Sequence, residues 1–296
     1  MKRIIQIGII ITGLLLSQLA WGIGIHDASK GGVLQQVKDV LQNDPDAIQL
    51  TDYDGNTALH LAAAYDHPKI VAFLLTQPKI NSDAINVKRE TPLYLSARYA
   101  GIDTFTNLLE AQSDHKTRAK DQTTLLHACS RSVHEQSNLI AQRILQDEDL
   151  KADMIKARDS WGSTPLHIAA RSNNHLVAKL LIEHNALVNA TDYLGRTPLH
   201  WAAEAGHSQT AELLISNGAL IDILCTNNGT PLHLAVLANR IDMVKLLLQA
   251  NATPQLKDAN GKTAIRIALE MNHRDIVNML INFHELQVST KNESNE

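Results

Sequence analysis

A four-residue string, Thr-Pro-Leu-His or a blurred form of it, begins at Thr57, Thr91, Thr124, Thr164, Thr197, Thr230 and Thr263. The successive spacings are 34, 33, 40, 33, 33 and 33 residues. A period this regular means stacked copies of one supersecondary unit. It overrides the two-domain expectation that a length of 296 residues would otherwise raise. Each element of the string has a physical task. Thr caps a helix N-terminus by accepting from an orphan backbone N–H. Pro is preset for the first helical position and has no N–H to leave unpaired. Leu opens an apolar stripe, and small pairs such as Ala62-Ala63, Ala169-Ala170 and Ala202-Ala203 let neighbouring helices approach closely. A turn then leads to a second helix with its own stripe, as in Val177, Leu180, Leu181 and Ile182.

Between units stands a polar turn sequence. Asp-x-x-Gly-x-Thr precedes the helix at Asp52–Thr57, Asp159–Thr164 and Asp192–Thr197. Together with the Thr-Pro-Leu-His string, this pattern resembles the ankyrin-repeat family, and Gly206-His207 matches that family's inter-helix turn. The resemblance implies an all-α solenoid of helix–turn–helix units with β-hairpin tips, and a concave face of tips and first helices that binds proteins. It also implies that the repeated histidines bond neighbouring backbone and the capping Thr. The expected organisation is an N-terminal segment at 1–22, one ankyrin-repeat domain at 23–284 and a flexible tail at 285–296. Residues Ala28–Gly32 and Val33–Leu41 fit a leading helix pair, the N-terminal cap, and the Thr263 unit closes the array. Caps need a polar outer surface, which Arg274, Asp275, Asn278 and Asn282 supply.

Three units depart from the pattern. The second has Asn86 and Arg89 in the tip Asp and Gly positions, and the third has Ala119 and Gln122. The third also carries seven extra residues, placed near Ser132–Gln136 and Asp147–Asp153. In the sixth, Cys225 replaces the Asp, and Asn228-Gly229 suggests a shifted turn. Insertions of this kind lie on loops and are candidates for function.

The first residues read as an export segment: Met1-Lys2-Arg3, an apolar run from Ile4 to Leu16, then small residues at Ala20 and Gly22. The run falls short of the ~20 residues that span a bilayer. Cleavage after Gly22 is expected, giving a periplasmic or secreted chain. The alternative is an uncleaved anchor reaching Ile25, the one route to a membrane. The remaining chain has 25 basic and 31 acidic residues, with no basic excess to hold nucleic acid.

Chemical motifs fail on inspection. His134-Glu135 and His284-Glu285 lack the second His of a zinc-peptidase helix. Phosphate-loop and nucleophile-elbow spacings are missing from the sequence. The two cysteines allow no four-Cys metal site. Cys129 falls on a small-residue helix position and reads as a buried thiol; Cys225, on a tip, reads as a thiol half-covered by the hairpin, with a free thiol open to mixed disulfides as the alternative. No enzyme activity, metal or cofactor is expected; another protein is. Candidate partner-binding residues are the variable tip and first-helix positions Tyr53, Asp54, Tyr65, Arg98, Tyr99, Trp161, Arg171, Tyr193, Arg196 and Glu204. Aromatic residues are only 4% of the chain, and five of the ten beyond Gly22 stand in this set. Tyr, Trp and Arg dominate interface hot spots. Trp201, on a first helix, is expected to pack inward.

Overall fold

The structure, a computed structural model, describes residues 24–132 and 134–293, with side chains up to Phe283. Seventeen α-helices and one 3-10 turn, and no strands, occur among the described residues. Two compact units are formed. The first runs to Lys120 and includes His134–Gln136; the second holds Asp121–Val133 and the chain from Ser137.

The first unit begins with α1 (Ile25–Lys30) and α2 (Leu34–Asn43), followed by the 3-10 turn Pro45–Gln49. Then come the pairs α3 (Ala58–Ala64) with α4 (Pro68–Leu75), and α5 (Pro92–Tyr99) with α6 (Ile102–Glu110). First helices stack on first helices, α1 on α3 on α5, and second on second, α2 on α4 on α6. In the second unit α7 (Leu125–Arg131) pairs with α8 (Ser137–Gln146), after which α9 (Glu148–Met154) is an additional helix. The remaining pairs are α10 (Pro165–Arg171) with α11 (His175–Glu183), α12 (Pro198–Ala205) with α13 (Ser208–Ser216), α14 (Pro231–Leu237) with α15 (Ile241–Gln249), and α16 (Ala264–Glu270) with α17 (Arg274–Glu293). Stacking is again like on like, from α7 to α16 and from α8 to α17. Each unit is therefore an all-α repeat solenoid. The small residues lie where the helices meet: Ala62, Ala63, Ala169, Ala170, Ala202 and Ala203 are fully buried.

The tips are tight turns, not the β-hairpins of the sequence expectation. In the first, Asp52 N–H donates to the Asn56 carbonyl and Gly55 N–H to that of Asp52. Consecutive tips are joined by single backbone bonds, such as Val87 N–H to Asp54 O (2.9 Å) or Tyr193 N–H to Trp161 O (3.0 Å), too few for a ladder. Where the tip residue is aspartate, it organises the turn. Asp52, Asp159, Asp192 and Asp258 accept through Oδ1 from the N–H groups two and four residues on, at 2.8–2.9 Å. Asn86 does the same for Lys88 and Glu90, so that departure is conservative in its bonding.

Left-handed backbone recurs at the tip glycine position: Gly55, Gly162, Gly195 and Gly261 have φ of 70–78°. Arg89, Gln122 and Asn228 hold the same position with φ of 59°, 64° and 53°. The sixth turn is thus not shifted. Asn228, a residue that tolerates this conformation, takes the glycine place, and the neighbouring Asn227 side chain accepts from Gly229 N–H and the Cys225 thiol.

The extra residues of the third repeat form α9, capped by Asp147, which accepts from Asp149 and Leu150 N–H. Helix α17 runs through Glu293, so the segment expected to fray is helical over most of its length. No Gly or Pro interrupts it.

The repeated histidines tie each unit together. Thr57 N–H donates to His60 Nδ1 (3.1 Å), which places the ring proton on Nε2, and Nε2 donates to the Glu90 carbonyl of the next repeat (3.0 Å). His127, His167, His200 and His233 repeat the arrangement toward Ser163, Arg196, Gly229 and Lys262. A second series serves the inter-helix turns, where His67, His207 and His273 reach the carbonyls of Lys30, Arg171 and Val236 at the ends of the preceding first helices.

Protonating a stapling histidine would set a proton on Nδ1 against the Thr N–H. Burial pushes His167 and His200 down to about 4, despite the carbonyls they face, and lowers His60 and His233 as well. The unfolded chain protonates these rings near the ordinary 6.5, so their stabilisation is complete above about pH 7 and lost as pH falls from 6.5 toward 4. The expected loss is about 3 kcal/mol for each of His167 and His200 at pH 4. Urea unfolding across this range checks it. A flat profile, or one that His167→Gln leaves unchanged, contradicts the assignment.

Candidate binding face

On the first unit, the face made by tips and first helices carries Tyr53 and Asp54 on the first tip, with Tyr65 at the end of α3 and Arg98 and Tyr99 at the end of α5. Tyr53 is fully exposed, and Tyr65 and Tyr99 are about half exposed. Each of the latter two rings has a cation over it: the Lys30 ammonium lies 5.2 Å from the Tyr65 centroid, and the Arg98 guanidinium 4.8 Å from that of Tyr99. Arg98 also sits 3.5 Å from the buried Glu90.

On the second unit, Trp161 (57% exposed) and Tyr193 (68%) stand on consecutive tips joined by the Tyr193 N–H bond to the Trp161 carbonyl. The Tyr193 ring lies against Gly162, where a Cβ would meet ring carbon Cδ1 at 2.6 Å. Glycine at 162 is required twice, for its φ of 78° and for this ring. Tyr193 therefore packs on the adjacent tip and remains exposed.

Trp201 packs inward as expected, 5% exposed. Its Nε1–H donates to Asp192 Oδ2 (3.0 Å), and the His167 ring meets it edge-on at 5.8 Å. Both Arg171 and Arg196 lie over its ring, 5.2 and 4.9 Å from the centroid. Arg196 is held further by Asp192 Oδ2 (2.9 Å) and by Glu204 (3.6 Å). Arg196 is thus engaged by Asp192 and the Trp201 ring, while Glu204, 55% exposed, and Arg171 stay open to solvent. Burial works against the Asp192 carboxylate. The Arg196 N–H, the Trp201 donor and the Arg196 guanidinium outweigh it and hold the group below the usual carboxylate range.

The preceding tip lacks these partners, and its carboxylate behaves differently. Asp159 has Ser163 where Asp192 has Arg196, and its Oδ2 and the Ser163 hydroxyl are buried without a hydrogen bond. Burial, helped by repulsion from Asp121, raises its pKa even though two backbone N–H groups favour the charged form.

Lys30, Val87, Lys120 and Leu194 also lie on these faces and are not among the sequence candidates. Register reveals them: Val87 follows Tyr53 by one period, Leu194 follows Trp161, and Lys30 precedes Arg98 by two. Both cysteines are buried. Burial pushes the Cys129 thiol up. Cys225 is 6% exposed with its S–H engaged by Asn227 and Gly229, in line with a thiol covered by its tip and against one open to mixed disulfides. Among the described residues no group of three or more His, Cys, Asp or Glu could hold a metal ion, and no helix is long and apolar enough to cross a membrane.

Trp201→Ala is expected to destabilise the chain by about 4 kcal/mol, combining a large core truncation with a stranded Asp192 oxygen. Tyr53→Ala should stay within about 0.5 kcal/mol. Equilibrium denaturation that ranks the two equally would contradict the inward tie.

Comparison with known proteins agrees with this architecture. A family model described as ankyrin repeats, in three copies, matches residues 25–121, 101–192, 125–225 and 219–292. Similar curated proteins include an E3 ubiquitin-protein ligase, XB3, of Oryza sativa subsp. japonica, 29% identical over 174 residues, 55% of this chain and 38% of that protein. The nuclear factor NF-kappa-B p105 subunit of Rattus norvegicus is 29% identical over 143 residues, 47% of this chain and 14% of that protein. A transient receptor potential cation channel of Homo sapiens, subfamily A member 1, is 33% identical over 98 residues, 33% of this chain and 8% of that protein. The alignments thus span well under half the length of these relatives. Ankyrin repeats are in general a non-enzymatic fold that mediates contacts between proteins, and with its repeats matched from residue 25 to residue 292 the chain belongs to the ankyrin-repeat family.

Proposed function

We propose that the chain is an exported, non-enzymatic module that recognises a partner protein through its tips and first helices. Two roles suit such a module: protecting or inhibiting an enzyme, or engaging a host protein as an effector. The observation that carries the binding reading is the placement of rings. In a chain with 4% aromatic residues, Trp161 and Tyr193 stand exposed on consecutive tips. Large rings of this kind supply contact area at low entropic cost. The double change Trp161→Ala/Tyr193→Ala is expected to alter stability by about 1 kcal/mol or less and to weaken partner binding by more than about 2 kcal/mol. Co-purification with tagged protein measures it. Partner recovery unchanged by the double substitution would refute this role.

Export rests on the residue pattern of 1–22, which lies outside the described residues. Ile25, 2% exposed at the start of α1, belongs to the folded unit, which fits a mature chain starting just before it. N-terminal sequencing of the protein recovered outside the cytoplasm is expected to begin at Ile23. An intact Met1 terminus in the membrane fraction would favour a tethered scaffold instead.

A further inference from the structure

We infer that the tip and first-helix face of the first unit is a docking site for an acidic segment of a partner protein. This deepens the protein-binding reading and rests on it. From Gly24 to Lys120 the chain has ten basic and twelve acidic residues, so the unit as a whole is slightly acidic. Its charges are sorted by face. Lys88 and Arg89 on the second tip and Lys120 on the third are exposed and make no ion pair among the described residues. Lys30 and Arg98 stand at the ends of first helices two repeats apart, over Tyr65 and Tyr99. Of the acidic groups on this face, Glu90 is buried against Arg98 and Asp52 is spent on its own turn, while Asp54 on the first tip and Asp27 on α1 are exposed.

Three features decide the chemistry of the occupant. The lysines and arginines are spread over neighbouring tips, which suits carboxylates spaced along an extended segment. Backbone bonds hold them in sequence: Val87 N–H to Asp54 O and Lys120 N–H to Lys88 O, at 2.9 and 2.8 Å. Between the cations lie exposed apolar groups, Tyr53 and Val87 among them, which a polyphosphate would not use but an acidic peptide carrying aliphatic or aromatic side chains would. The net negative charge of the whole chain, −4, opposes nucleic acid and leaves a local basic patch to steer a smaller acidic ligand.

The test is selection of random twelve-residue peptides displayed on phage against the full chain, followed by titration of the recovered peptides in solution. Recovered peptides are expected to be enriched in Asp and Glu and to bind more weakly as salt is raised. Lys88→Glu/Lys120→Glu, two exposed changes, should weaken them about tenfold or more. Asp103→Lys, on the second helix of the same repeat, should leave them unchanged, and matching circular dichroism shows that the variants fold. Binders that are neutral or basic overturn the acidic class while leaving protein binding intact. Acidic binders indifferent to the charge reversal place the site elsewhere and overturn the assignment to this face. A selection without binders, or a uridine 20-mer bound in a Lys88-dependent way when no peptide is, overturns the proposal outright. The Trp161/Tyr193 variant, on the second unit, reports separately on protein binding as such.

Discussion

A neutral imidazole with two committed nitrogens is the interaction on which both units depend. Nδ1 accepts from the Thr that caps its own helix, and Nε2 donates to a carbonyl in the turn of the next repeat. One side chain thus fixes a helix start, a tautomer and the distance to the following tip. The burial that lowers its proton affinity also makes the bonds strong. Where the histidine is replaced, by Tyr94 in the second repeat and Arg266 in the last, a Thr still stands at the helix start, and Thr91 accepts from the Tyr94 N–H.

The candidate binding faces arise from this skeleton by substitution at positions the skeleton does not use. Asp159 and Asp192 have the same place and the same two backbone donors, yet their protonation tendencies diverge. Arg196 and Trp201 reach the second oxygen of one, while Ser163 leaves that of the other unpartnered. The Trp201 cluster shows how a residue type suited to an interface can be turned inward: the Arg196 guanidinium that covers its ring also binds Asp192 and Glu204.

Most of the fold was legible because the period of the Thr-Pro-Leu-His string reports stacking directly, and the burial of its Leu and Ala positions is a consequence of that stacking. The exposed rings were legible too, since they stand where the pattern demands nothing. Three things were not. The tips lack strands because neighbours are joined by single bonds, a geometric matter that composition does not encode. The turn at Asn228 keeps its register because backbone φ, not residue identity, defines the position. The engagement of Arg196 with Asp192 and the Trp201 ring, and its pairing with Glu204 at 3.6 Å, emerge only from three-dimensional placement. Lys30 and Lys120 were hidden for a different reason: they occupy repeats whose own motif is degenerate or incomplete, so their register emerges only by counting from better-formed neighbours.

The added helix α9 has a wider consequence. It lies between a second helix and the next tip, yet Ser160 N–H still meets the Asp121 carbonyl at 2.9 Å, as in repeats of ordinary length. Chain length on that side is a free coordinate of the architecture: residues can be added there while the spacing of the tips stays the same. A graft at the α9 loop, such as a fluorophore-bearing peptide or a second binding element, would ride on the array as cargo and leave its alphabet of surface residues in place.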